Sequence, residues 1–316
     1  MTFVSNDPSW WPLLDLQLYY SYWIVAAGVV VVYEWVLTIG QEIELIWRQR
    51  WSLMTVLYLV IRYIGIPYSV AFGLSNMLFV SLTDAGCNIL DYARNGTNVV
   101  ITTTLGVIMI TRLHAMYQRS RAMLIFLVII FLAVIIACGV LVAIGLKNVA
   151  GEELILSDMH MCSYQYEGDT ISLLFSMTWI LNTVWEILAL CLSVWIAVKH
   201  FRDLRRLESS TGLTIGDCFR VLVKSHVLYF ASFAGASCVE LISISPALLN
   251  SDSIETVTFD GTRDVLSYLV MFVVGPRLIL SVREHHAKLV ADSDAETSMN
   301  SIVFQEHVHI STSSTV

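Results

Sequence analysis

Charge is what this chain has least of. Only 14% of its 316 residues are Asp, Glu, Lys or Arg, where soluble domains carry about 25%. A mean hydropathy of +0.70 does not fit a water-exposed surface. Cysteine is sparse as well. The six cysteines include no C-x-x-C pair, which argues against a structural zinc site and against a disulfide-dense secreted domain. No Lys or Arg occurs in the first 17 residues, so the positively charged start of a cleavable signal peptide is missing. The net charge of -8 gathers no basic face clear of the apolar stretches, which excludes a nucleic-acid footprint. No H-E-x-x-H or other paired catalytic motif is present, and His226 alone among the histidines lies deep in an apolar stretch, His114 falling at the end of one. An enzyme is not expected, and neither a metal nor another cofactor is implied.

What the chain does have is seven long apolar stretches, near residues 18–39, 52–74, 95–117, 122–145, 172–199, 219–246 and 264–282. A helix needs about 20 mostly apolar residues to cross a hydrocarbon layer of ~30 Å. The fourth stretch contains no charge. The third is weakest at its outer end, where LDYARNGTN is polar. The expected fold is therefore all-α: a polytopic membrane protein with seven transmembrane helices.

Basic residues set the expected orientation. One side receives Arg48, Arg50, Arg112, Arg119, Arg121, Lys199, Arg202, Arg205, Arg206, Arg220, Lys224, Arg277, Arg283 and Lys288. The other receives Arg94, Lys147 and Arg263, while Arg62 lies within the second stretch, giving 14 against 3. By the positive-inside rule the N-terminus is extracellular and the C-terminus cytosolic. Residues 1–17 then form a short extracellular N-terminus, 18–284 the seven-helix domain, and the polar 285–316 a disordered cytosolic tail. A plasma-membrane location is favoured over internal membranes. Between the first two stretches, QEIELIWRQRW reads either as a short interfacial helix or as a continuation of the first span.

Residues 30–65 carry a family resemblance. Tyr33-Glu34, Leu37-Thr38, Glu42, Glu44-Leu45-Ile46-Trp47, Arg50-Trp51-Ser52 and Arg62-Tyr63 resemble a basidiomycete family of multi-pass membrane proteins that opens with the domain of unknown function 6533. Later blocks, Arg112 to Tyr117, Cys162, Glu186, 228–230 and 277–284, resemble it too. Two positions depart from its pattern: Glu34 stands where Asp is usual, and Ile61 where Asn is usual. The resemblance implies a membrane protein and no activity. The topology also resembles that of G-protein-coupled receptors, as an architectural analogy.

Several residues are candidates for function. With the orientation above, Cys87 and Cys162 both lie outside, where disulfides persist, and are expected to bond. Such a bond would tie the outer loop over the third helix, as in many receptors of this layout. Glu34 and Arg62 lie on consecutive antiparallel helices at depths about 7 Å apart and are expected to form a structural ion pair. In the fifth stretch Thr178, Asn182, Glu186 and Ser193 share a helical face; in the sixth, Ser225, Tyr229, Ser232, Glu240 and Ser243 do. These stripes either line a ligand cavity, with Asn182, Glu186, Tyr229 and Glu240 as its candidates, or hydrogen-bond the helices together. Pro67 and Gly275-Pro276 are expected to bend their helices. Asn95-Gly96-Thr97 has the glycosylation pattern but lies close to the bilayer. Lys199, Arg202, Arg205 and Arg206 form a basic cytosolic loop for anionic lipid or a signalling partner. Partners are thus the bilayer, a small-molecule ligand and a cytosolic signalling protein, with no nucleic acid. A receptor-like or sensory role leads; a small-solute transporter or channel and a structural scaffold stand beside it.

Overall fold

A computed structural model describes the backbone of residues 3–49, 51–117, 119–166, 169–208, 215–243, 253–284 and 287; the side chains at 3, 150, 165–172, 200, 201 and 203–226 are outside the description. The chain forms α1 (Trp11–Glu42), α2 (Leu53–Asn76), α3 (Asp84–Met116), α4 (Arg121–Lys147), α5 (Asp169–Glu208), α6 (Ile215–Ser243) and α7 (Ile254–Glu284). Among the described residues six of these are long and apolar enough to cross a membrane, and α6 adds the shorter apolar stretch Val227–Ser243. The protein is an all-α polytopic membrane protein.

Each helix packs on the next in sequence, and α7 returns to α1, closing a ring. Burial sets the roles of the members. Half of the apolar window is buried in both α3 and α7, against 17% for α4, so α3 is a central helix and α4 a peripheral one. Ile125, Ile129, Leu132, Ile136, Val140 and Ile144 repeat at steps of three and four along α4 and stay exposed. That stripe is a lipid-facing surface. Ile101, Leu105, Ile108 and Leu113 of α3 are buried against Tyr58, Phe131, Trp185 and Phe230 of its neighbours.

Helix ends follow local chemistry. The Ser52 side chain and Thr55 exchange a capping box at the start of α2, and the Thr83 hydroxyl accepts from Gly86 N at the start of α3. Pro67 lies inside α2 without ending it. Before Pro276, α7 loosens into a π-turn over Leu269–Val274, which accommodates the missing backbone donor. The segment after α1 continues it directly as a second π-turn, Ile43–Trp47, so continuation is the correct reading of that stretch.

One element was not expected. Between α4 and α5, β2 (Val149–Leu156) and β3 (Met159–Tyr166) form an antiparallel hairpin, and β1 (Phe3–Ser5) adds to β2 in parallel. Ser157 and Asp158 join the strands with φ of 50° and 61°, the positive values of a type I′ turn. The hairpin sits on the first turns of α3. Asn88 donates to Gly151 O at 3.1 Å and accepts from Gly151 N at 3.0 Å, and Asp84 Oδ1 accepts from Glu153 N at 2.8 Å. Cys87 and Cys162 form a disulfide with Cα atoms 5.7 Å apart, fastening β3 to α3 as expected. The hairpin end of the bundle bears this sheet, and the basic end is the opposite one.

Candidate functional site

The four candidate cavity residues come together only in part. Glu186 accepts from Ser237 Oγ at 2.5 Å. Glu240 accepts from Ser267 Oγ at 2.6 Å and lies 3.5 Å from Arg263 Nε. With Asn182 they border a void of about 40 Å³, walled by Met109, Trp185, Phe233 and Met271. A water molecule occupies about 30 Å³ of liquid. The void is therefore of water size and too small for an organic ligand, because aromatic and methionine side chains from α3, α5, α6 and α7 fill the space. Tyr229 is buried outside it, its hydroxyl without a hydrogen-bond partner among the described residues. The stripes act here as contacts between helices.

The expected Glu34–Arg62 pair is also corrected. The Glu34 carboxylate turns to α7, where Arg277 Nε donates to it at 3.0 Å and Nη2 adds a second bond. Arg62 touches only the backbone carbonyl of Glu34, at 3.4 Å. Its guanidinium extends toward the basic end instead, with Nη2 donating to Trp35 O at 2.9 Å and to the Thr38 hydroxyl. Its Nε lies 3.4 Å from Glu42 Oε2. Pointing a long cationic side chain toward the nearer membrane surface is the ordinary behaviour of a buried arginine.

Glu42 is the hub of this half of the bundle. It is fully buried and accepts from Trp47 Nε1 at 3.0 Å, Tyr58 Oη at 3.2 Å and Tyr63 Oη at 2.9 Å. Arg283 then ties α7 to the α1–α2 turn, donating to Leu45 O at 2.8 Å, Ser52 Oγ at 2.9 Å and Thr55 Oγ1 at 2.6 Å. Every oxygen of a buried carboxylate that is so engaged stabilises one geometry of the connection between α1 and α2, whereas removing its partners leaves a charge stranded.

The large cavity is elsewhere. A space of about 690 Å³ lies at the hairpin end between α1, α2, α3 and β3. Ligand sites commonly measure about 300–1,000 Å³. Its apolar wall includes Ile64, Ala71 and Phe72 of α2 with Leu90 and Val100 of α3. Its polar groups are Gln17, Ser75, Asn76, Asp91, Arg94 and Thr97. Asp91 is buried and accepts from Arg94 at 3.1 Å and from Asn95 Nδ2 at 3.1 Å. The Arg94 guanidinium lies 5.7 Å over the Phe72 ring. Gln17 Nε2 reaches Asn76 Oδ1 at 3.5 Å. At the outer end the strand residues His160, Met161, Cys162 and Tyr164 close it over, with His160 Nδ1 2.9 Å from Glu153 Oε1.

None of the cavity's polar residues stood among the sequence candidates. Gln17 comes from α1 and Ser75 and Asn76 from the end of α2, while Asp91, Arg94 and Thr97 fall on LDYARNGTN, the polar outer end that makes the third stretch the weakest. In the structure that stretch is regular helix, continuous from Asp84. A signal was there: Asp91, Arg94, Asn95 and Asn98 repeat at steps of three, one and three, a polar helical face. The same helix settles Asn95. Its side-chain nitrogen donates to Asp91 O at 2.9 Å and to Asp91 Oδ1, so the glycosylation pattern sits inside a helix with its amide engaged. The basic loop is likewise helical. Lys199 and Arg202 are exposed on the basic-end extension of α5, and the side chains of Arg205 and Arg206 fall outside the described residues, as does the tail from residue 288.

Residues 22–67 match the family of unknown function DUF6533. The match spans most of α1 and the first two-thirds of α2, and so includes Glu34, Glu42, Tyr58, Arg62 and Tyr63. No curated protein matches the chain.

Proposed function

We propose that this protein is a receptor-like seven-helix membrane protein that binds a small molecule beneath its hairpin, with the N-terminus and hairpin extracellular and the basic end cytosolic. The cavity of about 690 Å³ carries this reading. It is of ligand size, mixes apolar wall with a few convergent polar groups, and is closed at its outer end by a disulfide-fastened strand. The two interior voids that Asn182 borders measure only about 40 and 90 Å³, which favours binding at one end over passage through the bundle. Orientation rests on the 14-to-3 basic residue count and on the disulfide, which needs an oxidising compartment. Both fit a plasma-membrane protein.

A central helix supplies the link between the ends. α3 forms the cavity wall with Asp91 and Arg94 and, near the basic end, carries Arg112, whose Nε is buried without a hydrogen-bond partner among the described residues. A ligand that shifts α3 as a rod moves Arg112 with it at the basic end, the end that also bears the exposed Lys199 and Arg202, where a cytosolic partner would dock. The test is a thermal-unfolding screen of small molecules on purified protein. At one hundred times its Kd a ligand stabilises by about 2.7 kcal/mol. The stabilisation should vanish in Asp91→Asn or Asn76→Ala and persist in Glu186→Gln. The reverse pattern would move the site to the bundle centre and overturn the proposal.

A further inference from the structure

We infer that the cavity takes a single-chain amphiphile with an uncharged, hydrogen-bonding head, which reaches it sideways from the bilayer between α2 and α3. This rests on the ligand-binding reading above and names its ligand class. The first observation is the depth of the opening. Asn95, Asn98 and Val99 of α3 border a shared void with Cys138, Gly139 and Val142 of α4, so these stretches lie at one level. Residues 122–146 of α4 contain no charge, so that level is hydrocarbon. Tyr92 Oη donates to Leu146 O at 3.4 Å and marks its outer limit. Below that limit Ala93, Gly96 and Val100 line the cavity and are nevertheless exposed, and Pro67 of α2 is exposed across from them. The two helices are thus parted where acyl chains would lie.

The second observation is the closed outer end. His160, Met161 and Cys162 cross it on β3, and Cys162 is covalently held to Cys87. A solute from water meets this strand, whereas a lipid meets the gap. The third is charge balance. Asp91 has Arg94 at 3.1 Å, and His160 has Glu153 at 2.9 Å. A net charge on the ligand would find each counter-charge already engaged, and desolvating it would not be compensated. Asn76 Nδ2 and the Ser75 hydroxyl already donate to Phe72 O at 2.8 and 2.9 Å, so recognition falls to the amide of Gln17, the Thr97 hydroxyl and the spare acceptor lone pairs of Ser75 Oγ and Asn76 Oδ1, uncharged groups that suit hydroxyls. The apolar wall of Ile64, Ala71, Leu90 and Val100 runs inward from them and suits an alkyl chain.

The experiment uses the full chain in phosphatidylcholine nanodiscs and a monoacylglycerol with a diazirine near the end of its chain. After irradiation, labelled residues are mapped by mass spectrometry. Saturable labelling should fall on α2 around residues 64–71 and on α3 around 93–100. Gly96→Trp should suppress it by at least about tenfold. A Cβ at Gly96 meets nothing within 4 Å, so the indole has room to occupy the opening. Ala93→Phe, from another exposed position, blocks the same gap should the first variant fail to fold. Gly235→Trp is the control, on an exposed face of α6 where a Cβ also meets nothing within 4 Å. Labelling that ignores Gly96→Trp, or that spreads along α4, is annular lipid and overturns the inference. So does stronger competition by a lysophospholipid bearing a phosphate monoester than by the neutral amphiphile. If the neutral probe fails while a water-soluble hit from the thermal screen is lost in Gly96→Trp, the lipid assignment falls and the ligand-binding reading stands. If both fail, both fall.

Discussion

Glu42 shows how much one buried residue can organise. It joins Trp47, Tyr58, Tyr63 and Arg62, so it holds the turn between α1 and α2 from inside. Glu42→Ala should cost about 3–5 kcal/mol, because it strands a buried guanidinium. Glu44→Ala, at an exposed position two residues away, should change stability by less than about 0.5 kcal/mol. Thermal unfolding of the purified variants checks the pair. Glu34→Gln should cost less than Glu42→Ala, since the amide oxygen still accepts from Arg277, whereas alanine at 42 removes a group that joins Trp47, Tyr58, Tyr63 and Arg62 at once. These partners were half legible in the sequence. Counted in sequence from position 50, Arg62 is 12 positions away, Glu34 is 16 and Glu42 is 8, so depth alone does not choose between the acids. The choice is made by Arg277, which arrives from the far end of the chain and takes Glu34. Nothing local announces it.

At the scale of elements, helices were legible because an apolar run of about 20 residues has few other uses. The hairpin was hidden. Its turn is Ser157-Asp158, with neither Asn-Gly nor any glycine to mark positive φ, and its polar strands read as loop. The disulfide was legible for a different reason, since orientation left only Cys87 and Cys162 on one side. Replacing both by Ser should cost about 2–4 kcal/mol in thermal unfolding and should loosen the closed end of the cavity. An unchanged melting temperature would mean the strand is held by its backbone bonds alone. Helix packing makes a second demand. A Cβ at Gly106 of α3 would overlap the ring of Phe131 on α4, so Gly106→Ala should destabilise by about 1–3 kcal/mol. Gly139 on α4 has nothing within 4 Å of its added Cβ, and Gly139→Ala should gain up to about 1 kcal/mol. The two melting temperatures should move in opposite directions.

Across the whole molecule, the ring divides into a tied half and an open half. Toward the basic end, Glu42, Arg62, Arg277 and Arg283 bind α1, α2 and α7 together. Toward the hairpin end, α2 and α3 part to leave the large cavity. The candidate site therefore lay where the sequence was hardest to read as a span. Polar residues on the outer third of α3 lower its apolar character for the same reason that they furnish the cavity. Glu186 drew attention because it is an acid in mid-span, yet Ser237 satisfies it and aromatic packing closes around it. The most direct test of the ligand site is a cryo-electron microscopy map of the full chain in nanodiscs, purified with a stabilising compound. Non-protein density should fill the space between Asn76, Asp91 and Gly96 beneath β3. Density beside Glu186 instead, or an α2–α3 gap closed by collapsed side chains, would contradict it.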